Sequence, residues 1–535
     1  MKKFILPLII LTGLFLRVVF INSSPPSLYG DELTIALDAN SLLKTGHDEL
    51  GNLFPLTFPM GAGRPAGYVY GTIPFMAIFG PSALGVRALS ILSGLGIITL
   101  LYYICRKLFS GRIGILAAFV ASISSWDISL SRGGFEAHFA LFLALLGFYL
   151  FIKAKEKTIF YIFSALSFGL TLHTYPTYKV SLLFFLPLLL WYHGGIKNKK
   201  HFLTGAVLFL ILAVLSLSQT FVGGSEKRFA DINVFSQSKL KDSIEQKVNF
   251  ERQITKLPES SYKYFYSKPT EYIKVLLENY LQNFSIDFLV LHGDRNPRHN
   301  MATMGEIYLV DGMLMLIGFL SLWQSNKRAF FLLLFWILLA PVGTAIVDLP
   351  HSLRSSFMLP PIIILSALGL SVILDRKNKT VIMLLGILLI IQFTFFIQKL
   401  YFLAPSEYGN FWSYPAKAAS EIALENKNNF KVILLSDRIN DIEYAYPVYA
   451  RVDPSMIISQ NKEKILLSNL LFKNFDNIYI GSIPDGDIQK FIERLNGSVL
   501  YIGSASDARF LTDFNKIEGT DKTPILVIKK KLNAN

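Results

Sequence analysis

Cysteine is almost absent from this sequence. Cys105 is the only one in 535 residues, so no disulfide can close within the chain and no cysteine-based metal centre can form. Charge is scarce as well. Asp, Glu, Lys and Arg make up 17% of the residues against 52% hydrophobic, and the mean hydropathy is +0.43. A soluble chain of this length carries more charge. There is no internal repeat and no low-complexity tract, and the C-terminal region has no phosphate-binding glycine loop. The charge that is present is mostly positive, with a net value of +14. In a soluble protein that excess points to nucleic acid. Here the cations lie between apolar runs, where they set membrane topology, so nucleic acid is not an expected partner.

Apolar runs fall at about 4–21, 82–105, 113–126, 137–152, 159–174, 180–193, 202–222, 307–323, 329–347, 356–374 and 380–398. Many reach the length needed to cross a hydrocarbon core of about 30 Å. The chain therefore reads as a polytopic α-helical membrane protein with about 11 transmembrane helices. The first run follows Lys2 and Lys3, is interrupted by Arg17 and has no small-x-small cleavage site. It reads as an uncleaved helix whose Arg17 snorkels at the outer end. With Lys2 and Lys3 in the cytoplasm, strict alternation gives inner loops that carry Arg106, Lys107 and Arg112; Lys153, Lys155 and Lys157; Lys197, Lys199 and Lys200; Lys327 and Arg328; and Arg376, Lys377 and Lys379. The short outer loops hold few cations: Arg132, Lys179 and Arg354. This pattern satisfies the positive-inside rule for the cytoplasmic membrane. It places loops 22–81 and 223–306, together with the C-terminal tail, outside.

Two domains follow from the composition: a transmembrane domain over 1–400 and an extracytoplasmic α/β domain over 401–535. In the tail the short apolar runs at 431–435, 477–480, 498–502 and 524–528 predict strands, and 415–426 predicts a helix between them. The stretch Ala66–Phe79 is apolar but broken by Gly67, Gly71 and Pro74, and reads as an interfacial or re-entrant segment. Within the long outer loop, Tyr272, Val275, Leu276, Tyr280 and Phe284 have helical spacing, which predicts an amphipathic helix on the surface.

The chemistry-bearing residues gather on the outer side. The stretch YGDELTIALDANSLLKTG (29–46) begins with Asp31 and Glu32 and stops at Gly46. It predicts a short helix along the outer leaflet that Asp31 starts by capping. GRPAGYVY (63–70) supplies Arg64, and DISLSRGGFEAHF (127–139) supplies Arg132, Glu136 and His138. HTYPTYK (173–179) supplies Tyr175 and Lys179, and DLPHSLRSS (348–356) supplies His351 and Arg354. Carboxylates and arginines on one membrane face suit a lipid-linked sugar phosphate. Cations hold the phosphate as the sugar bond breaks, and one carboxylate takes the proton of an incoming hydroxyl. A phosphate leaving group needs little acid assistance, so one base suffices for direct displacement with inversion. Blander readings stand beside these. Arg132 and Arg354 pin the interface, Glu136 and His138 close a span end, and the tyrosines anchor at the interface. His292, Asp294 and His299 are residue types that ligate a divalent metal ion, but their spacing equally suits a solvated loop.

The Asp-Glu pair after the first span, the RPAGYVY segment, LGVRALSILSG (84–94) and SRGGFEAHF (131–139) resemble the GT-C glycosyltransferases. The resemblance is to the protein O-mannosyltransferase family and its bacterial relative, the lipid A aminoarabinose transferase, and is strongest over residues 10–140. It implies that Asp31 is the catalytic acid of the pair, with Glu32 its second member. It also implies that Arg64, Arg132 and Arg354 lie around the lipid phosphate. Gly63 stands where the aminoarabinose transferase has an acidic residue linked to metal binding, which leaves no metal implied at that place. The expected activity is transfer of a sugar from a polyprenyl-phosphate donor to an acceptor hydroxyl at the outer face. The competing classes are a flippase for lipid-linked sugars and a non-catalytic membrane scaffold. Transporters often show paired broken helices in matching halves, and this sequence has none evident.

Overall fold

The computed structural model describes residues 2–60, 63–222 and 233–532. The beginning of the long loop expected on the outer side, 223–232, therefore lies outside the described residues. Every apolar run named above is helical. In chain order the helices are α1 (Lys2–Val18), α2 (Gly30–Thr45), α3 (Gly67–Phe79), α4 (Ala83–Leu108), α5 (Gly111–Ile123), α6 (Ser125–Ser131), α7 (Glu136–Lys153), α8 (Phe160–Leu172), α9 (Thr177–His193) and α10 (Lys199–Val222). After the loop come α11 (Ser238–Ile254), α12 (Lys268–Gln282), α13 (Leu309–Ser325), α14 (Lys327–Leu339), α15 (Leu359–Arg376) and α16 (Lys379–Gln398). Among the described residues, six helices are long and apolar enough to cross a membrane, or seven if α5 and α6, bent by 59°, form one span. Others are short. The 13 residues of α8 rise only about 20 Å at ~1.5 Å per residue, less than a bilayer core.

Short polar side chains begin several of these helices. Ser82 Oγ accepts the Gly85 N–H at 3.1 Å before α4, and Ser110 Oγ accepts that of Ile113 at 3.3 Å before α5. Asn378 Oδ1 accepts the Val381 N–H at 3.2 Å before α16. Each satisfies a donor that the first helical turn leaves free. Helices α13 and α15 cross at two glycines. A Cβ on Gly318 would lie 2.2 Å from the Leu365 carbonyl oxygen, and one on Gly369 only 1.9 Å from that of Leu314. Only glycine lets these two backbones meet.

The predicted amphipathic helix is α12. Glu271 and Asn279 are buried on its inner face, and the Tyr280 hydroxyl donates to the Leu338 carbonyl at 2.8 Å. Ile273, Leu277 and Leu281 are exposed on the other side.

The tail folds as a seven-stranded mixed sheet. After the two-stranded pair β1 (Thr57–Phe58) and β2 (Arg64–Pro65) in the first loop, its strands are β3 (Val432–Ser436), β4 (Ile465–Leu467), β5 (Leu470–Phe475), β6 (Ile478–Gly481), β7 (Val499–Ser504), β8 (Asn515–Glu518) and β9 (Pro524–Lys531). Their order is β4-β5-β6-β3-β7-β9-β8. Strand β3 pairs parallel with β6 and β7, and the other pairings are antiparallel. The four strands expected from sequence are β3, β6, β7 and β9. Of the other three, β4 is only three residues long, and β5 and β8 carry charged or polar residues that hide the alternation. The expected helix is α17 (Tyr414–Glu425).

The structure corrects two expectations for α2. It does not lie along a surface: residues 32–42 are all buried. Leu33, Ile35, Leu37 and Leu42 share one apolar core with Ala416, Ala419, Ile433 and Leu435 of the tail. The middle of α2 is enclosed on every side, and exposure is left only at Asp31 at its start and at residues 43–45 at its end. Nor does Asp31 cap it. The N-cap is Tyr29, without a side-chain cap, and Asp31 lies in the first turn. Gly46, with φ at 75°, ends the helix as expected.

Burial of α2 against the tail encloses two acids. Asp38 Oδ1 accepts the Glu49 N–H at 3.1 Å, while its Oδ2 is buried without a partner. The Glu49 carbonyl accepts from Asn461 of the tail at 2.9 Å. Burial, with Glu49 nearby, pushes Asp38 well above the usual carboxylate range. Burial raises Glu49 to about 7 against the opposing charge of Lys473. A carboxyl raised in the folded state resists ionising there, so its cost to stability is absent below about pH 4.5 and complete above about pH 7. Glu49→Gln is therefore expected to raise the thermal unfolding midpoint at pH 8 by the equivalent of a few kcal/mol. The gain should vanish at pH 4.5, as calorimetry in lipid nanodiscs at the two pH values would show.

Candidate active site

Adjacent residues on a helix point about 100° apart, and this separates Asp31 from Glu32. The Glu32 side chain is fully buried. It forms a two-pronged pair with Arg87 of α4, Nε to Oε1 at 2.7 Å and Nη2 to Oε2 at 2.8 Å, and Oε1 also accepts the Gly134 N–H at 2.8 Å. Arg87 in turn donates to the carbonyls of Ile21 at 3.0 Å and Ser27 at 2.7 Å. Glu32 thus joins α2, α4 and the loop before α7. The Asp31 side chain keeps 34% of its surface exposed.

Arg64, on β2, is buried beside Asp31. Its Nη2 is 3.2 Å from Asp31 Oδ1 and its Nη1 donates to Thr34 Oγ1 at 2.8 Å. Its Nε lies 2.8 Å from Glu136 Oε1, an ion-pair contact without hydrogen-bond alignment. Burial opposes the guanidinium charge, but Glu136, Asp31 and Asp38 outweigh it and raise the Arg64 pKa. Burial, with Asp31 and Glu136, also pushes the Tyr29 phenol well above its ordinary value. The structure therefore brings Asp31, Arg64 and Glu136 together, with the cation orienting both acids. The Asp441 carboxylate of the tail packs directly on Gly30, where a Cβ would lie 2.8 Å from its Oδ1.

Other expected residues are committed elsewhere. Arg132 is fully buried and its Nη1 donates to the carbonyls of Leu16 at 3.3 Å and Arg17 at 3.2 Å; Nη2 donates to Ser24. It closes the C-terminal end of α1. His138 Nε2 lies 2.9 Å from Asp127 Oδ1, and Asp127 pairs with Arg17. Arg17 is fully buried and does not snorkel; it also donates to Ser131 Oγ at 3.0 Å. Sequence reasoning did not single out Arg87, and it gave Asp127, within the 127–139 stretch, no structural role. The available signal was an ionisable residue inside or beside an apolar run, which requires a partner. Lys179 Nζ donates to the Ser216 carbonyl of α10 at 3.1 Å, and Tyr175 meets Tyr178 edge to face.

A second group lies in the loops 292–300 and 348–356. His292 does not join it. Its side chain is 73% exposed and contacts Asp287 at 2.5 Å. His351 takes that place instead: Asp294, His299 and His351 offer ligand-type atoms all within 4.8 Å of one another. Burial opposes ionisation of Asp294, but the hydrogen bond from His299 and the charges of His351 and His299 bring it well below the carboxylate range. Burial, helped by His299, holds the His351 imidazole well below its usual value. Burial raises Glu306, which accepts from the Asp294 N–H at 3.0 Å, to about 8. Asp294 and His351 open on a cleft of about 640 Å³ that also receives Arg295, Arg298 and Arg354. The first two were not singled out from sequence. The Arg298 guanidinium lies 5.3 Å from the Tyr29 ring centre. Tyr29, Phe135 and Trp412 pack into an aromatic wall, and His299 meets Phe135 on its other side. The cleft is thus one aromatic layer from the start of α2.

Residues 64–218 match the family model of dolichyl-phosphate-mannose-protein mannosyltransferase. No curated protein sequence matches the chain. In fold the chain is similar to ArnT from Cupriavidus metallidurans bound to undecaprenyl phosphate, with a TM-score of 0.54 and 12% identity over 97% of each chain. The apo state of ArnT from the same organism gives 0.51 and 13% over 96% of each chain. The archaeal oligosaccharyltransferase AglB from Archaeoglobus fulgidus, in complex with an inhibitory peptide and a dolichol-phosphate, gives 0.46 and 13% over 93% of this chain and 69% of its own. The mannosyltransferase-type match is confined to residues 64–218, and the likeness to ArnT over the whole chain is one of fold.

The two acids of the pair are expected to differ in what they hold up. Glu32→Gln leaves Arg87 buried with its charge unopposed, and loss of a buried partner costs about 3–5 kcal/mol. Asp31→Asn removes one contact from a partly exposed group and is expected to cost less than about 1 kcal/mol. Thermal unfolding of the two variants in detergent checks this; equal destabilisation would contradict it.

Proposed function

We propose that this chain is a multi-pass membrane glycosyltransferase that moves a sugar from a polyprenyl-phosphate donor to an acceptor hydroxyl at the outer face of the cytoplasmic membrane. The observation that carries the reading is the contrast within the acid pair. Asp31 is held by Arg64 yet a third exposed, whereas Glu32 is sealed by Arg87 and Gly134. The mannosyltransferase-type match over 64–218 supports it, and so does a fold shared with a protein solved with undecaprenyl phosphate. The topology of eleven spans, with domains 1–400 and 401–535 and the sheet outside, belongs to this proposal.

In the proposed reaction the acceptor hydroxyl donates its proton to the Asp31 carboxylate as its oxygen attacks the anomeric carbon. The bond from that carbon to the phosphate oxygen breaks, polyprenyl phosphate leaves with the electron pair, and the centre inverts. Arg64 holds the carboxylate toward the acceptor. Its contacts to Asp31, Glu136 and Thr34 make it a positioning residue rather than the main phosphate ligand. Arg295, Arg298 and Arg354 in the cleft suit the phosphate, because planar guanidinium groups in a partly enclosed site pair well with its oxygens. Glu32 fixes the start of α2 through Arg87.

The experiment compares wild type and Asp31→Asn in proteoliposomes, supplied with a panel of labelled polyprenyl-phosphate sugars and a membrane extract as acceptor source. Asp31→Asn is expected to lower release of polyprenyl phosphate by about 10²–10⁴-fold while donor binding changes less than twofold. Unchanged release would remove Asp31 from the chemistry. Donor translocation without any release would favour a carrier.

A further inference from the structure

We propose that Asp294, His299 and His351 form a binding site for a divalent transition-metal ion such as zinc, set at the edge of the arginine-lined cleft. The inference goes beyond the transfer reaction and does not depend on it. Two separate loops converge to build the site. His299 Nδ1 lies 3.2 Å from Asp294 Oδ2, and His351 Nδ1 lies 3.6 Å from the same oxygen. A tetrahedral ion about 2.1 Å from each ligand holds neighbouring ligand atoms about 3.4 Å apart; the His299 separation, spanned by a hydrogen bond, and the His351 separation are both compatible with that spacing.

Protonation suits the site as well. His351 Nδ1 accepts the Leu353 N–H at 3.2 Å, so that nitrogen carries a lone pair rather than a proton. It lies 3.6 Å from Asp294 Oδ2, and because it has a single lone pair, coordination of an ion there replaces the Leu353 contact. Two imidazoles and one carboxylate are zinc-type ligands, and three protein ligands leave a position open. Asp294 and His351 open on the cleft.

The surrounding contacts hold the ligands in place. Asp294 Oδ2 accepts the Ser352 N–H at 2.8 Å and Oδ1 accepts that of Asn296 at 2.8 Å. Glu306 Oε1 accepts the Asp294 N–H at 3.0 Å and the Ser352 hydroxyl. The two rings lie side by side with centres 4.2 Å apart. Such outer contacts orient the ligands of metal sites. None of the three ligands comes from the loop around Gly63.

The test is metal binding, not turnover. Full-length protein in nanodiscs is stripped with a chelator and titrated with Zn²⁺ or Co²⁺. Retained metal is counted by mass spectrometry after gel filtration, and bound Co²⁺ is read by visible absorption. One equivalent per chain is expected. His351→Ala and Asp294→Asn should weaken binding at least tenfold, and His292→Ala should leave it unchanged. If either ligand variant fails to fold, His299→Gln gives the same reading. No retained metal in wild type, or retention that survives the ligand substitutions, overturns the proposal. Because turnover is not measured, this outcome is separate from that of the Asp31 experiment.

Discussion

The buried pair between Glu32 and Arg87 holds together three parts of the chain that are distant in sequence. Both side chains are fully shielded from solvent, so each needs the other and a full set of hydrogen bonds. Arg87 spends its remaining donors on carbonyls of the 21–27 segment, and Glu32 takes the Gly134 N–H. Such a pair adds little net stability over an apolar substitute. What it contributes is position: the start of α2 cannot shift without leaving a charge unpaired. Arg17, Asp127 and His138 form a second buried lattice at the base of the same region, and Arg132 closes α1 above it. Arg17, Arg64, Arg87 and Arg132 are all essentially buried, and none is there to meet lipid.

The tail braces this arrangement from the other side. Its core is continuous with that of α2, Asp441 packs against Gly30, and Trp412 stands edge-on to Tyr29 while the Arg87 guanidinium lies 5.5 Å from its ring centre. The exposed carboxylate of Asp31 therefore sits on a helix held by membrane helices below and a packed sheet domain above. In the proposed reaction, a base fixed in this way loses little orientational freedom when an acceptor arrives, which is where positioning contributes to catalysis.

The cleft beyond the aromatic wall has a different character. Its arginines belong to loops rather than helices. Functional groups often occupy loops carried by a rigid scaffold, and here the scaffold is α13, α15 and the wall of Tyr29, Phe135 and Trp412.

The sequence by itself determined the helical membrane architecture, the α/β character of the tail and the chemical type of the loops between the apolar runs. Those properties depend on local composition and period, as the agreement of the apolar runs with α4, α7 and α15 and of four short runs with β3, β6, β7 and β9 illustrates. It also put Asp31 and Arg64 among the candidates, because each is an ionisable residue in an apolar neighbourhood. Only the tertiary structure decided which charge faces which. Arg132, next to a glycine pair in a loop, reads as a ligand for phosphate, yet it holds the carbonyls of α1. His292 and His351 look equivalent in sequence, yet only His351 meets Asp294 and His299. The burial of α2 beneath a domain nearly 400 residues away was equally hidden. Local patterns record what a residue is and how often it recurs. They do not record which distant residue will arrive to satisfy its charge, and in a low-dielectric interior that partner decides whether an ionisable group supports the fold or remains available for chemistry.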